Sequence, residues 1–322
     1  MSTDFIRTQG LIKTYGKRNV VNNVDIEVKK GEIVGLLGPN GAGKTTTFYM
    51  VVGLIRPNTG RVFLGDEDIT QLPMYRRARL GIGYLPQESS VFQKLTVEEN
   101  LLAIAETLKL TKAQRERLVE DRLAELGLTH LSEQKAITLS GGERRRLEIA
   151  RCLITSPRFL LLDEPFSHLD AIQKRKLIYE LKELLREMET TVIFVTHDLD
   201  DALWLTDSLV VLQKGKITQK GNSKALCEQP KSKYVARLFS SINALPDREQ
   251  AYIRPADIRI RTRGGFVGHV VDQRFLVHYN TLQVRLREGG QLWEVDDPGR
   301  KYQIGDRVYL HIQEEKVLVL KS

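Results

Sequence analysis

The sequence predicts an α/β domain with a largely parallel sheet, followed by a small all-β domain. Continuous apolar runs indicate strands that are buried on both faces, and helices of about 15 residues separate them. Near residue 240 the pattern of apolar residues changes. Beyond it, apolar residues alternate with polar ones in short runs between glycine-containing turns. We therefore expect two domains, at residues 1–240 and 241–322.

The composition is that of a globular protein. Of 322 residues, 41% are hydrophobic and 28% are charged, which excludes disordered and collagen-like chains. The net charge of +8 fits a solvated surface as well as an anionic partner. The longest apolar run, Phe48–Ile55, is too short to span a bilayer, and we expect no secretory leader. Cys152 and Cys227 lack metal-site spacing, which favours a reducing compartment.

The first third of the chain predicts strands, a glycine-rich loop and a helix. Alternation over Leu11–Tyr15 and Val20–Val28 predicts the first strands. The apolar run Glu32–Leu37 predicts a buried strand. After the loop, Lys44–Leu54 predicts a helix that ends before Pro57.

The rest of the first domain alternates helices and strands. Residues 96–129 predict a helix-rich segment with a capped start at Thr96. A helix over Glu143–Ile154 and buried strands over Phe159–Leu162 and Thr191–Val195 follow. In the tail, alternation predicts antiparallel strands at Ile258–Arg261, Leu282–Leu286, Val308–Ile312 and Val317–Leu320.

The glycine-rich loop carries the strongest chemical signal. It fits the pattern G-x-x-x-x-G-K-[ST] between a buried strand and a helix. The glycines let backbone N–H groups face phosphate oxygens, and the helix N-terminus adds positive potential. We expect Lys44 on the β- and γ-phosphates and the Thr45 hydroxyl on Mg²⁺. The predicted ATP-binding residues here are Gly38, Pro39, Asn40, Gly41, Ala42, Gly43, Lys44, Thr45 and Thr46.

Two carboxylates follow the strand Phe159–Leu162. Open α/β sheets bind ligands at the carboxyl ends of their strands, so Asp163 is placed to hold Mg²⁺. Glu164 is the better candidate for a general base that polarises the attacking water.

The segment Leu139–Glu143, before a helix, resembles the signature sequence of ABC-transporter ATPases. The resemblance covers about residues 5–240 and implies a P-loop NTPase of the ABC cassette type, with a helical subdomain at about 88–140. It implies that Ser140, Gly141, Gly142 and Glu143 complete the ATP site of an opposite subunit, so that a homodimer encloses two nucleotides.

The same resemblance assigns further residues. Gln87 matches the Q-loop, a catalytic and metal position, and His197 matches the switch histidine near the γ-phosphate. Asp170 matches the D-loop, in which His168 departs from the family's small residue and has no predicted role. Tyr15 lies where the family stacks an aromatic ring on adenine, with core packing as its alternative. The run Arg144–Arg146 predicts a partly solvated helix face or an aid at the dimer interface.

Different segments of the chain resemble ATPases that power different kinds of transport. The first half of the cassette resembles ATPases of lipopolysaccharide export, which implies that Phe92 contacts a membrane partner; core packing is its alternative. The segments Ser167–Ala171 and Val195–Ala202 instead resemble ATPases of sugar, sulfate, polyamine or iron importers. Tyr252–Ile260 resembles the start of their TOBE domain, a small OB-like barrel.

A soluble, nucleic-acid-associated ABC ATPase is the alternative of another class. Such proteins carry long coiled coils or two cassettes, and this chain has neither. Residues 241–322 hold 13 basic and 11 acidic residues without a basic stripe, so we expect no nucleic-acid partner. The prediction is an ATPase subunit on the cytoplasmic face of the inner membrane, bound to integral membrane permease subunits.

Overall fold

The computed structural model describes residues 5–167 and 169–320, so His168 lies outside the described residues. The chain divides into two compact units, Met1–Ser223 and Lys224–Ser322. This boundary precedes the expected one at 240/241 because the segment after Ser223 packs with the C-terminal strands. The Arg254 guanidinium donates to the Cys227 carbonyl oxygen, and Lys233 Nζ lies 4.9 Å from the centroid of the Tyr252 ring.

The N-terminal unit contains two sheets. Its strands are β1 (Phe5–Tyr15), β2 (Arg18–Val24), β3 (Glu27–Lys29), β4 (Ile33–Leu37), β5 (Thr59–Leu64), β6 (Glu67–Asp68), β7 (Ile82–Leu85), β8 (Phe159–Asp163), β9 (Thr191–Thr196), β10 (Ser208–Gln213) and β11 (Lys216–Gly221). One sheet is antiparallel, with the order β2-β1-β5-β6 and with β3 on β1. The other has the order β11-β10-β4-β9-β8-β7 and is parallel except for β11.

The parallel sheet confirms the predicted α/β architecture. Every residue of β4, β8 and β9 is buried, as continuous apolar runs require of strands covered on both faces. Phe48, Val51, Leu161 and Val195 pack in the same core, so the helix after the glycine-rich loop lies directly on the sheet.

This unit contains the predicted helices and two further short ones, Met74–Arg79 and Leu199–Leu205. In chain order, its helices are α1 (Lys44–Val52), α2 (Met74–Arg79), α3 (Val97–Ala105), α4 (Lys112–Glu125), α5 (Gly141–Leu153), α6 (Ala171–Glu187) and α7 (Leu199–Leu205). The capped start at Thr96 is confirmed, because its side chain and that of Glu99 form a capping box. The helix-rich segment is divided after Ala105, since Thr111 and Gln114 form a second capping box that starts α4. Within the described ranges, no helix is long and apolar enough to cross a membrane.

The C-terminal unit is mostly antiparallel β-structure. After α8 (Ser223–Glu228) and α9 (Lys233–Phe239) come β12 (Asn243–Ala244), β13 (Ala251–Ile253), β14 (Ile258–Arg261), β15 (Phe266–Phe275), β16 (Asn280–Leu286), β17 (Leu292–Asp297), β18 (Arg307–Ile312) and β19 (Leu318–Val319). They form a three-stranded sheet, β12-β13-β19, and a five-stranded sheet, β14-β18-β15-β16-β17. Trp293, Leu282 and Leu310 are among the buried residues of its core. This confirms the predicted small all-β domain.

Candidate nucleotide site

Four adjacent parallel strands deliver the predicted chemistry to one edge of the sheet. The glycine-rich loop follows β4, His197 follows β9, Glu164 follows β8 and Gln87 follows β7, and these strands are neighbours in the order β4-β9-β8-β7. The carboxyl ends of parallel strands meet at the same edge, where open α/β sheets bind ligands. Residues that are far apart in sequence therefore line one cleft.

The glycine-rich loop has a backbone that side chains would obstruct. Gly43 has a φ of +97°, and a Cβ placed on it would lie 2.5 Å from the Val20 carbonyl oxygen. A Cβ on Gly38 would lie 2.3 Å from the carbonyl oxygen of Leu212. α1 begins after Gly43 with no side-chain cap and no acidic residue in its first turn. Its N-terminal N–H groups are thus left for an anion.

Lys44 is buried within this loop. Its Nζ donates to the carbonyl oxygens of Gly38 at 2.7 Å and Pro39 at 3.2 Å. Burial lowers the pKa of Lys44, while the charges of Glu164 and Asp163 oppose that shift. The ammonium group is held by two neutral acceptors that a phosphate can replace.

Asp163 ends β8 as a fully buried carboxylate. Neither of its oxygens has a hydrogen-bond partner among the described residues. Burial raises the pKa of Asp163 to about 6, and the charge of Glu164 adds to the shift. The nearby hydroxyl of Tyr49 does not meet hydrogen-bond geometry with Asp163, and it opposes this upward pKa shift only in part. A buried carboxylate without a partner is costly, and carboxylate oxygens are ligands that Mg²⁺ prefers, so the donor set fits that ion.

Glu164 joins the residues predicted as catalytic. Its Oε1 lies 2.9 Å from His197 Nδ1, and its Oε2 accepts from Gln87 Nε2 at 3.3 Å. Its φ of +43° lies in the left-handed region that residues other than glycine rarely adopt. The turn after β8 is thus shaped to direct this carboxylate between Gln87 and His197.

These residues line a cleft of about 590 Å³. Its lining consists of Asn40, Thr45, Gln87, Glu164, Phe166, Ser167, Leu169, Lys174, Thr196, His197, Asp198 and Asp201. Sequence reasoning missed Lys174, whose Nζ lies 2.9 Å from Asp198 Oδ2 and 3.0 Å from Asp201 Oδ1. Burial lowers the pKa of Lys174, but these two carboxylates outweigh it and the net shift is upward. Lys174 therefore neutralises the acidic start of α7 beside His197.

The signature residues do not line this cleft. Ser140 caps α5: its Oγ accepts from the Glu143 N–H at 3.4 Å, and Glu143 Oε2 accepts from the Ser140 N–H at 2.8 Å. Hydrogen bonds from Ser140 lower the pKa of Glu143. A Cβ placed on Gly141 would have no described atom within 4 Å, so this position faces open space, whereas one on Gly142 would lie 2.7 Å from Gln173 Oε1.

Of the remaining predicted residues, Tyr15 and Asp170 are both exposed, and Asp170 also caps a helix. Tyr15 is 52% exposed with Lys13 Nζ 5.4 Å from its ring centroid, so the alternative of core packing is wrong. It does not line the cleft. Asp170 caps α6 by accepting from the N–H groups of Ile172 and Gln173, both at 3.0 Å.

Phe92 is an exposed ring on a fixed backbone. It is 47% exposed, which excludes ordinary core packing. Its N–H donates to Asn100 Oδ1 at 2.8 Å, and its carbonyl accepts from Asn100 Nδ2 at 3.0 Å. The Arg151 guanidinium lies 4.5 Å from its ring centroid. Sequence reasoning missed Asn100, because a buried side-chain amide within a helix has no pattern of its own.

Arg144 and Arg146 are partly exposed, as predicted for a partly solvated helix face, but Arg145 is not. It is buried and pairs with Glu148 at 2.5 Å. Its guanidinium also donates to the carbonyl oxygens of Pro165 and of Pro86, the residue before Gln87. It thus connects α5 to the backbone next to Glu164 and Gln87.

The fold and the cleft define a P-loop NTPase of the ABC cassette class. Residues 21–167 match the ABC transporter family model, and residues 251–320 match the TOBE domain model. The chain is 46% identical over 231 residues to the lipopolysaccharide export system ATP-binding protein LptB of Acidithiobacillus ferridurans, covering 71% of this chain and 94% of that protein.

Solved structures of ATP-binding cassettes have a fold similar to that of this chain. An ATP-binding cassette of an ABC transporter in its ADP conformation matches with a TM-score of 0.62 and 28% identity, over 74% of this chain and 99% of that one. A dimeric ATP-binding cassette in a post-hydrolysis state with ADP and Pi matches with a TM-score of 0.61 and 26% identity, over 67% and 98%. This chain therefore belongs to the ABC-transporter ATP-binding protein family.

Proposed function

We propose that this chain hydrolyses ATP as a homodimer and thereby powers transport through integral membrane permease subunits. The observation that carries the proposal is the Glu164 carboxylate, held between Gln87 and His197 at the same sheet edge as the glycine-rich loop. A carboxylate positioned by two partners beside a phosphate-binding loop is suited to activate a water molecule.

The chain's own residues divide the work. The loop Gly38–Thr46 binds the phosphates, and Lys44 exchanges its carbonyl acceptors for phosphate oxygens. Glu164 accepts a proton from the attacking water, and His197 holds the carboxylate in place through Oε1. Tyr15 is exposed and available to stack on the base.

The donor set fits Mg²⁺, with Asp163, Thr45 and Gln87 as the residues that would hold it. The unpartnered oxygens of buried Asp163 support this assignment. When bound, the ion would neutralise the charge that develops on the phosphates.

The signature end of α5 supports the dimer. Ser140, Gly141, Gly142 and Glu143 do not line their own chain's cleft, yet they begin a helix whose N-terminus attracts anions. We place them, with Asp170, against the nucleotide of the opposite subunit. The dimeric cassette with ADP and Pi in the same family is consistent with this arrangement.

Phe92 is assigned to the permease contact at the cytoplasmic face of the inner membrane. An exposed aromatic ring whose backbone is clamped by Asn100 loses little entropy when a partner helix covers it. A permease helix that packs there would transmit dimer closure to the membrane.

Two kinds of transport compete for this ATPase. The relative named for lipopolysaccharide export favours an exporter-like role. The TOBE match at residues 251–320 favours an importer of sugar, sulfate, polyamine or iron, because 231 residues already make up 94% of the exporter relative. The integral membrane protein that co-purifies with the chain distinguishes the two, and RNA in place of such a protein would contradict both.

The decisive experiment on ATP hydrolysis is Glu164→Gln. The amide keeps the size of the side chain but cannot accept the proton, so turnover should fall at least about 100-fold. ATP binding should persist, and MgATP should trap a dimer that gel filtration with light scattering detects. Glu187→Gln, an exposed change outside the cleft, is the matched control. Unchanged turnover in Glu164→Gln would refute Glu164 as the base, and a strictly monomeric chain with MgATP would refute the dimer.

A further inference from the structure

A second cavity, of about 520 Å³, lies within the C-terminal unit. One wall is formed by side chains of β15, β16 and β17. The other is formed by Cys227 of α8, the end of α9 and the turn Arg254–Ala256. The volume lies in the range of sites that take small molecules.

The register of three strands places six polar side chains in two rows on the first wall. One row consists of Asp272, Gln283 and Glu294, and the other of Arg274, Thr281 and Asp296. The rows are two residues apart along each strand, so they share a face, and neighbouring strands lie about 4.8 Å apart. Acidic and basic groups thus face the same space from adjacent strands.

Five charged side chains line this cavity, and none of them forms an ion pair within the described part of the chain. They are Asp272, Glu294, Asp296, Arg254 and Arg274. Asp272 and Arg274 are exposed, but Arg254, Glu294 and Asp296 are partly buried, where a charge without an opposite charge is costly. The cavity therefore offers both signs of charge to a ligand.

The two β17 carboxylates that line the cavity, Glu294 and Asp296, accept hydrogen bonds from neutral donors only, among the described residues. Glu294 Oε1 accepts from Gln283 Nε2 at 3.2 Å, and Asp296 Oδ1 accepts from the Thr281 hydroxyl at 3.5 Å. Burial raises the pKa of Asp296; the Thr281 hydroxyl opposes the shift and the charge of Glu294 adds to it. Two adjacent carboxylates without a cation are the surroundings that an ammonium group relieves.

Arg254 presents the opposite charge. Its terminal nitrogens donate to the carbonyl oxygen and Sγ of Cys227, which fixes the guanidinium on the second wall. Its buried Nε has no hydrogen-bond partner in the part of the chain that the structure describes. Each terminal nitrogen carries two N–H groups, so Arg254, which lines the cavity, keeps donors that an acidic group on a ligand can use.

We propose that this cavity binds a small zwitterion, with its ammonium group on Glu294 and Asp296 and its acidic group on Arg254 and Arg274. The proposal does not depend on ATP hydrolysis by the N-terminal unit. It assigns to the C-terminal unit a ligand-binding site of its own.

The first test needs no ligand. In the full chain, Glu294→Gln with Asp296→Asn keeps both neutral hydrogen bonds but removes the repulsion, so the unfolding midpoint should rise by about 2 °C. The matched control, Glu249→Gln with Glu315→Gln, removes the same charge from exposed positions outside the cavity and should move the midpoint less. A lower midpoint in the cavity variant would show that these carboxylates stabilise the fold, and would overturn the proposal.

The second test uses ω-amino carboxylates from glycine to 6-aminohexanoate as a ruler for the separation of the two charges. Calorimetric titration of the full chain should find a length that binds at least tenfold more tightly than the n-alkylamine and alkanoate of the same length. Glu294→Gln with Asp296→Asn should remove that preference, and the control pair should retain it. If no length exceeds its singly charged partners, or if the cavity variant binds as well as the control, the proposal is wrong.

Discussion

Two helices of this chain begin at glycine-rich segments, and their N-termini differ in what satisfies them. α1 starts after Gly43 without a side-chain cap, whereas α5 starts after Ser140 with a capping box closed by Glu143. Both ends carry the positive potential of the helix dipole. The first leaves its N–H groups to a ligand, while the second occupies them with its own side chains.

The difference explains why one end can act alone and the other needs a partner. A phosphate at α1 gains hydrogen bonds that the free chain lacks. A phosphate at α5 must share its donors with Ser140 and meets the carboxylate of Glu143. In the proposed dimer, the signature end therefore contributes only when closure brings the opposite nucleotide against it. The predictions below test each end in turn.

Lys44→Ala should have the largest effect, because it removes the only charge that the glycine-rich loop itself offers the phosphates. A hydrogen bond between charged groups is worth about 1.5–3 kcal/mol, so ATP affinity should fall about 10- to 150-fold in equilibrium titration. Lys174→Ala, which removes an ammonium already paired with Asp198 and Asp201, is the comparison. An unchanged affinity in Lys44→Ala would contradict the role of the loop as the principal anion site.

Gly141→Ala should separate folding from dimerisation. A methyl group there meets no atom of the described residues within 4 Å, and Ala favours a helix over Gly by up to about 1 kcal/mol, so the monomer should not lose stability. In the proposed dimer that methyl group would face the opposite phosphates. ATP should still bind to the monomer, while MgATP-dependent dimerisation and turnover fall at least about tenfold, since crowding of a packed contact costs about 1–3 kcal/mol.

Gly43→Ala is the contrasting substitution at the other helix. Its Cβ would collide with the Val20 carbonyl oxygen, so both stability and ATP binding should fall. Equal losses of monomer stability in Gly43→Ala and Gly141→Ala would show that the two ends do not differ in the way described.

Much of the N-terminal unit follows from local patterns. Buried parallel strands read as uninterrupted apolar runs, and the capping boxes at Thr96 and Ser140 are visible as short motifs. The motifs at Lys44 and Asp163 also fix which ends of the strands carry chemistry, because they follow strands that all run in one direction.

What the sequence did not predict depends on contacts between distant residues. Arg145 sits in a run of three arginines that suggests a solvated face, but carbonyl oxygens from two other loops bury it. β15 was missed because Gly268 interrupts the alternation where Val284 of the next strand needs the space. The charged cavity depends on the register of three strands, which no local pattern specifies.

Glu143→Gln should have the smallest effect. It should lower the stability of the monomer slightly but strengthen the proposed dimer. Hydrogen bonds from Ser140 lower the pKa of Glu143 below its ordinary value of 4.5, so the group is ionised at pH 7. The negative charge stabilises the N-terminus of α5 by a few tenths of a kcal/mol in its solvated position, and the amide should lose that amount. In unfolding experiments the difference should disappear as the pH falls through the lowered pKa, because the carboxyl is then neutral as well.

The same charge repels the triphosphate of the opposite subunit in the proposed dimer. Glu143→Gln keeps an oxygen that can accept from the Ser140 N–H but removes the repulsion, so MgATP-dependent dimerisation should tighten about two- to fivefold, the equivalent of about 0.4–1 kcal/mol. Sedimentation equilibrium in the Glu164→Gln background measures this without turnover. Raising the salt concentration should shrink the difference, because exposed charges are screened. A weaker dimer at low salt would show that Glu143 stabilises the interface instead of repelling the opposite triphosphate. It would contradict the interpretation that this carboxylate competes with a phosphate at the N-terminus of α5.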